Sequence, residues 1–178
     1  MDNVRPTRIV RIARMTRTIS VIGSFKQHNR EIQRTCEIFR NIGLHVNSPE
    51  SAEIVEEGID FVRFHTDPQA CSDAAIQSLA LHRILRSDLV YAVLPYGYIG
   101  RTTCYEVGRI LQSKRPIYFS ERPGDFPVHI PDAFVVDVAR LSALLEQDDW
   151  SPEWLFSGVN NEEGILETRL INGDFVDD

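Results

Sequence analysis

The chain has 178 residues, 43% of them hydrophobic and 25% charged, a globular balance that excludes a fibrous or disordered protein. Its formal charge of −7 gives no general attraction to nucleic-acid phosphates or an anionic membrane. No apolar run approaches the roughly 20 residues that span a bilayer, so the expected partner is a small molecule, with no membrane and no nucleic acid.

The chain opens with an arm, residues 1–17, that sets Arg5, Arg8, Arg11, Arg14 and Arg17 against Asp2. It reads as a loosely ordered terminus; a nucleic-acid arm or a transit leader is the alternative. Thr18 to Gly23 is a β-branched run expected to form the first strand. Asn29 to Ile42 carries Ile32, Cys36, Phe39 and Ile42 at helical spacing, closed by Gly43. Leu44 to Asn47 reads as a second strand. Ser48 to Asp67, broken by Pro49 and Gly58, reads as a lid or hairpin. Asp73 to Arg86 is expected to be helical through Ile76, Leu79, Ala80 and Ile84, with His82 off that stripe as a surface histidine or, alternatively, a group turned to the ligand crevice.

Asp88 to Leu94 is nearly continuous in apolar residues, as in a strand covered on both faces, with Asp88 opening it after a turn. A helix over Thr103 to Ser113 follows the loop Pro95 to Arg101. Pro116 to Phe119 and Ala133 to Val136 are expected as the last two strands, and Val138 to Gln147 as a closing helix. Strands alternating with helices imply a doubly wound, mostly parallel five-stranded α/β sheet of the flavodoxin or Rossmann kind, helices on both faces, over residues 18–149.

Residues 150–178 hold seven acids against Arg169 and read as an acidic, solvated extension, with Glu162 and Glu163 as surface charge and Trp150, Trp154 and Phe156 docking its first part on the body or on another subunit. Glu56 and Glu57 are likewise read as solvated. Cys36, Cys71 and Cys104 lack zinc-site spacing and are expected as reduced thiols in a cytoplasmic protein, with no metal and no cofactor.

In such sheets ligands bind beyond the carboxyl ends of the strands, where the strand order reverses. Gly23 to His28 and Tyr96 to Glu106 are expected to face each other there. The segment PYGYIGRTTCYEVG runs from a buried strand into a helix, and its Gly97, Gly100, Thr102 and Thr103 suit an anion or a sugar hydroxyl at unpaired helix amides. It has neither a Walker lysine nor a dinucleotide glycine pattern. Glu106 has two readings of equal weight from spacing alone. It is a nucleophile or base beside a sugar carbon, or it closes a capping box with Thr103.

The strings TISVIGSF and SDLVYAVLPYGYIGRTTCYEVGRILQSKRPIYF resemble the nucleoside 2-deoxyribosyltransferase superfamily and its relatives that hydrolyse nucleoside monophosphates. The likeness runs from Thr18 to Val136 and centres on Tyr105, Glu106, Val107 and Gly108. It implies that Glu106 is the nucleophile taking the glycosyl carbon, that Gly23, Ser24, Lys26 and His28 lie under the sugar or phosphate, and that subunits associate as a homodimer or larger homo-oligomer. Gly100 stands where transferases of the family carry an aspartate and the nucleotide hydrolases a serine, and Thr102 stands where a glycine is usual. Base, sugar and phosphate state stay open.

Lys26 suits a phosphate and Tyr96 and Tyr98 a stacked base. The same residues also suit a solvated cation, helix capping by Ser24 or Asn29, and cover for the core edge. The expected function is an N-glycosidic bond enzyme, hydrolase or transferase, on a nucleoside or nucleotide. The competing readings are a non-catalytic nucleotide-binding or sensing module and an interaction protein using the charged ends.

Overall fold

A computed structural model of the protein describes residues 17–48, 68 and 70–176. The lid or hairpin expected at Ser48 to Asp67 lies, from residue 49 on, outside the described residues, as does the arm before Arg17. Among the described residues, the sheet has four parallel strands in the order β2-β1-β3-β4. These are β1 (Thr18–Gly23), β2 (His45–Val46), β3 (Leu89–Val93) and β4 (Ile117–Phe119). Their connections contain α1 (Phe25–Asn41), α2 (Asp73–Leu85) and α3 (Arg101–Gln112), with α4 (Val138–Leu145) and α5 (Glu162–Asn172) after the last strand.

The chain steps from β1 outward to β2, then returns across β1 to β3 and on to β4. Right-handed crossovers therefore put α1 on one face and α2 and α3 on the other. The packing agrees: α1 meets α4, and α2 meets α3. The strand order reverses between β1 and β3, which pair from Ile19↔Leu89 to Gly23↔Val93, so Gly23 and Val93 end side by side at the carboxyl edge.

All five residues of β3 are buried, as its uninterrupted apolar sequence requires of a strand covered on both sides. Ile32, Cys36 and Phe39 turn one stripe of α1 into the core, where Phe39 meets Tyr91 edge-on at 5.4 Å. The Tyr91 hydroxyl donates to the Val136 carbonyl at 2.8 Å, so this buried ring leaves no polar group unpaired. Asp88 does open its strand after a turn: its carboxylate accepts from the Thr18 amide at 2.7 Å and its own amide donates to the Thr18 carbonyl.

The fifth strand expected at Ala133 to Val136 is not formed. Asp132–Phe134 makes a 3₁₀ turn after Pro131, and only Val135 bridges Phe119. Asp137 then caps α4 by accepting from the Arg140 amide at 2.9 Å, so the backbone is committed to a helix immediately after Val136. Too few residues remain between these two constraints for a ladder.

The acidic extension is more structured than its charge suggests. Leu155 and Phe156 are buried, Trp150 packs on Tyr118 at 5.8 Å, and the Trp154 indole donates to the Leu111 carbonyl. Arg17 donates to the Trp150 carbonyl at 2.8 Å. Glu162 and Glu163 open α5 behind the Asn161 cap, where negative charge suits the helix dipole.

Candidate functional site

The loop after β3 turns through two left-handed residues, Tyr96 at φ 60° and Gly97 at φ 70°. At Gly97 a side chain is excluded twice over, by that dihedral and because a Cβ would lie 2.7 Å from the Arg122 carbonyl. Tyr96 has no such licence, and a left-handed tyrosine costs about 1–3 kcal/mol. Its side chain is 94% exposed beside the switch point. Tyr98 is 41% exposed and reaches across to α1, where its ring meets His28 edge-on at 5.9 Å. Gly23 pairs with Val93, and its φ of 153° and the 2.6 Å that would separate a Cβ from the Val93 carbonyl demand glycine. The two loops therefore converge as the strand order requires.

Helix α3 begins at Arg101 with Gly100 as its cap, two residues earlier than expected, because the first intrahelical bond already runs from the Cys104 amide to the Gly100 carbonyl at 2.8 Å. Thr103 consequently sits inside the first turn, buried, and the capping box with Glu106 does not form. The first-turn amides of Thr102 and Thr103 have no intrahelical acceptor and lie at the positive end of the dipole. On the other loop, Ser24 caps α1 through its carbonyl, which accepts from Gln27 and His28, and its side chain makes no capping bond. Lys26 is exposed in the first turn of α1.

Glu106 lies six residues into α3, roughly 9 Å along the axis from Gly100, with its Cα–Cβ bond tilted back toward the helix start. It is only 9% exposed. One carboxylate oxygen accepts from the Gln77 side-chain amide on α2 at 3.2 Å. Among the described residues the other oxygen has no hydrogen-bond partner. Burial pushes this carboxyl up to about 7, opposed by the Gln77 hydrogen bond, which favours the charged form. A group poised between its two protonation states at neutral pH suits proton transfer or nucleophilic attack.

Gln77 is the site residue that spacing did not reveal. It lies on the polar side of α2, and only the adjacency of α2 and α3 brings it to Glu106. Replacing it by alanine removes a contact that favours the anion, so any activity requiring ionised Glu106 should have its ascending pH limb move upward by up to about one unit, as a hydrogen bond of ~1 kcal/mol dictates. A pH–rate profile measures this.

His82 is exposed, as expected. Among the described residues the cysteines form no disulfide, no cluster of His, Cys, Asp or Glu could hold a metal, and no helix is long and apolar enough to cross a membrane. A groove of about 300 Å³ lies between the 127–131 loop and α5, and none of the residues expected at the switch point lines it.

No protein-family model matches the chain, and no curated protein matches it. Among solved structures, a conserved protein from Enterococcus faecalis V583 is similar over 87% of each chain, with a TM-score of 0.45 and 18% identity.

Proposed function

We propose that the protein cleaves or transfers the N-glycosidic bond of a nucleoside or nucleotide, with Glu106 attacking the anomeric carbon. The observation that carries this reading is the state of Glu106: a buried carboxyl with one oxygen held by a neutral amide, the other unpartnered among the described residues, and no capping role. The second oxygen of a carboxylate so placed has no hydrogen bond to another described residue to break before it reacts. Its negative charge also stabilises the oxocarbenium-like centre that develops as the base departs.

The remaining residues have consistent roles. Gly23 lets its backbone approach Val93, Gly97 lets the loop after β3 pack on the Arg122 backbone, and the exposed faces of Tyr96 and Tyr98 offer stacking surface to a base. The first-turn amides of Thr102 and Thr103, behind Gly100, suit an anionic or hydroxyl group of the sugar, with Ser24 and Lys26 at the start of α1. The resemblance in the strings around TISVIGSF and TTCYEVG supports the same chemistry.

Base release from a panel of nucleosides and nucleotides, with and without an acceptor base, tests the proposal. Turnover by the wild type and none by Glu106→Gln is the expected result. Binding of a nucleotide with no base released from any member of the panel would favour the sensing module instead.

A further inference from the structure

Helix α1 departs from helical geometry at one residue, His28, whose φ of −129° and ψ of 31° swing the ring out of the regular progression. The departure brings the imidazole against Tyr98, on the loop leading into α3. Its Nε2 is buried and, among the described residues, has no hydrogen-bond partner. A buried polar atom left unpaired costs about 1–3 kcal/mol, and a distorted backbone adds to that cost, so both together ask for a compensating role.

The position supplies one. His28 follows β1 and Glu106 follows β3, the two adjacent strands whose ends define the switch point. Tyr98 links them: its ring contacts His28, and its hydroxyl lies 3.7 Å from where a Cβ on Gly100, the cap of the Glu106 helix, would stand. His28 and Glu106 thus stand on the two segments that follow the strands flanking the switch point, with Tyr98 contacting the first and lying beside the cap of the helix that carries the second.

We propose that His28 is the proton donor to the departing base in the reaction assigned to Glu106, an inference that rests on that reading. As the N-glycosidic bond breaks, its electron pair goes to the base nitrogen and the proton on Nε2 moves to the base. A Glu106 oxygen forms the new bond to the anomeric carbon, and the imidazole is left neutral. Water or an acceptor base then breaks the ester bond, restores the carboxylate and, through the proton it releases, recharges His28. Tyr98 holds the ring edge-on and orients it, which makes Tyr98 a positioning residue.

The test compares leaving groups in the full chain. The nucleoside or nucleotide cleaved fastest needs a proton on its base, whereas the para-nitrophenyl glycoside of the same sugar departs as a stable phenolate. His28→Gln should slow the first by about 100-fold or more and leave the second within roughly threefold. Glu106→Gln should lose both. Retained turnover of the nitrophenyl glycoside itself shows that the variant is folded.

Equal loss on both substrates by a His28→Gln or His28→Asn protein that melts with the wild type would overturn the proposal, as would full activity on the natural base. Wild-type protein inert toward both substrates, or Glu106→Gln fully active, would instead remove the glycosidic reading and this inference with it.

Discussion

Replacing Glu106 by glutamine is expected to lower base release by roughly 10⁴-fold or more while making the protein more stable above neutral pH. The activity loss follows because an amide cannot supply the anion that attacks the anomeric carbon. The stability gain follows from burial. The folded protein holds the carboxyl at about 7 against an ordinary value of 4.5, so between those values the folded state binds more protons than the unfolded chain.

Stability from this group is therefore complete below the unfolded value and is lost as pH rises through the folded one. The loss amounts to about 3 kcal/mol by about pH 8. Glutamine is never charged and keeps the shape, so the variant escapes that loss. Melting of the two proteins across pH should show nearly equal Tm at about pH 4 and a Tm advantage for Glu106→Gln that grows to a plateau above neutrality. A difference independent of pH would mean that the carboxyl is not buried as described.

Gly23→Ala carries the second large effect. The added methyl would stand 2.6 Å from the Val93 carbonyl and 3.1 Å from an Ile32 side-chain carbon, at a φ of 153° that side-chain-bearing residues rarely adopt. Ile32 can give way, but the Val93 carbonyl belongs to the β1–β3 ladder and cannot move without breaking the pairing at the switch point. A loss of about 3 kcal/mol or more is expected in denaturant unfolding. Gly43→Ala serves as the comparison, since a Cβ there meets nothing within 4 Å and only its positive φ of 83° is penalised. Gly23→Ala should be the more damaging by at least about 1 kcal/mol.

The fold was legible where hydrophobic pattern and punctuation agreed. The run from Leu89 to Leu94 could only be a buried strand, and Ile32, Cys36 and Phe39 could only be one helix face, so the reversal between β1 and β3 followed from crossover handedness. The fifth strand failed because Ala133 to Val136 has strand composition but no room, being held by Pro131 on one side and the Asp137 cap on the other. Helix α5 is not legible in the sequence because its face is divided: Ile165, Leu166 and Leu170 are exposed and Gly164 is its buried residue.

At the site, Glu106 and both converging loops could be placed from the glycine-bearing segment between a strand and a helix. The capping box was a fair reading of T-x-x-E, but it requires the helix to start at Thr103, and Gly100 starts it earlier. Gln77 and the kink at His28 left no mark on the sequence. One depends on the tertiary contact between α2 and α3, the other on a backbone distortion that no local pattern encodes.

The account rests on a covalent bond between a Glu106 oxygen and the sugar, and mass spectrometry of the protein after reaction with a fluorinated-sugar nucleoside, which slows breakdown of such an ester, looks for that bond directly. One glycosyl mass on the peptide that contains Tyr105, Glu106 and Val107, absent from Glu106→Gln, is the expected result. Continued base release with no adduct, or an adduct on any other residue, would contradict it.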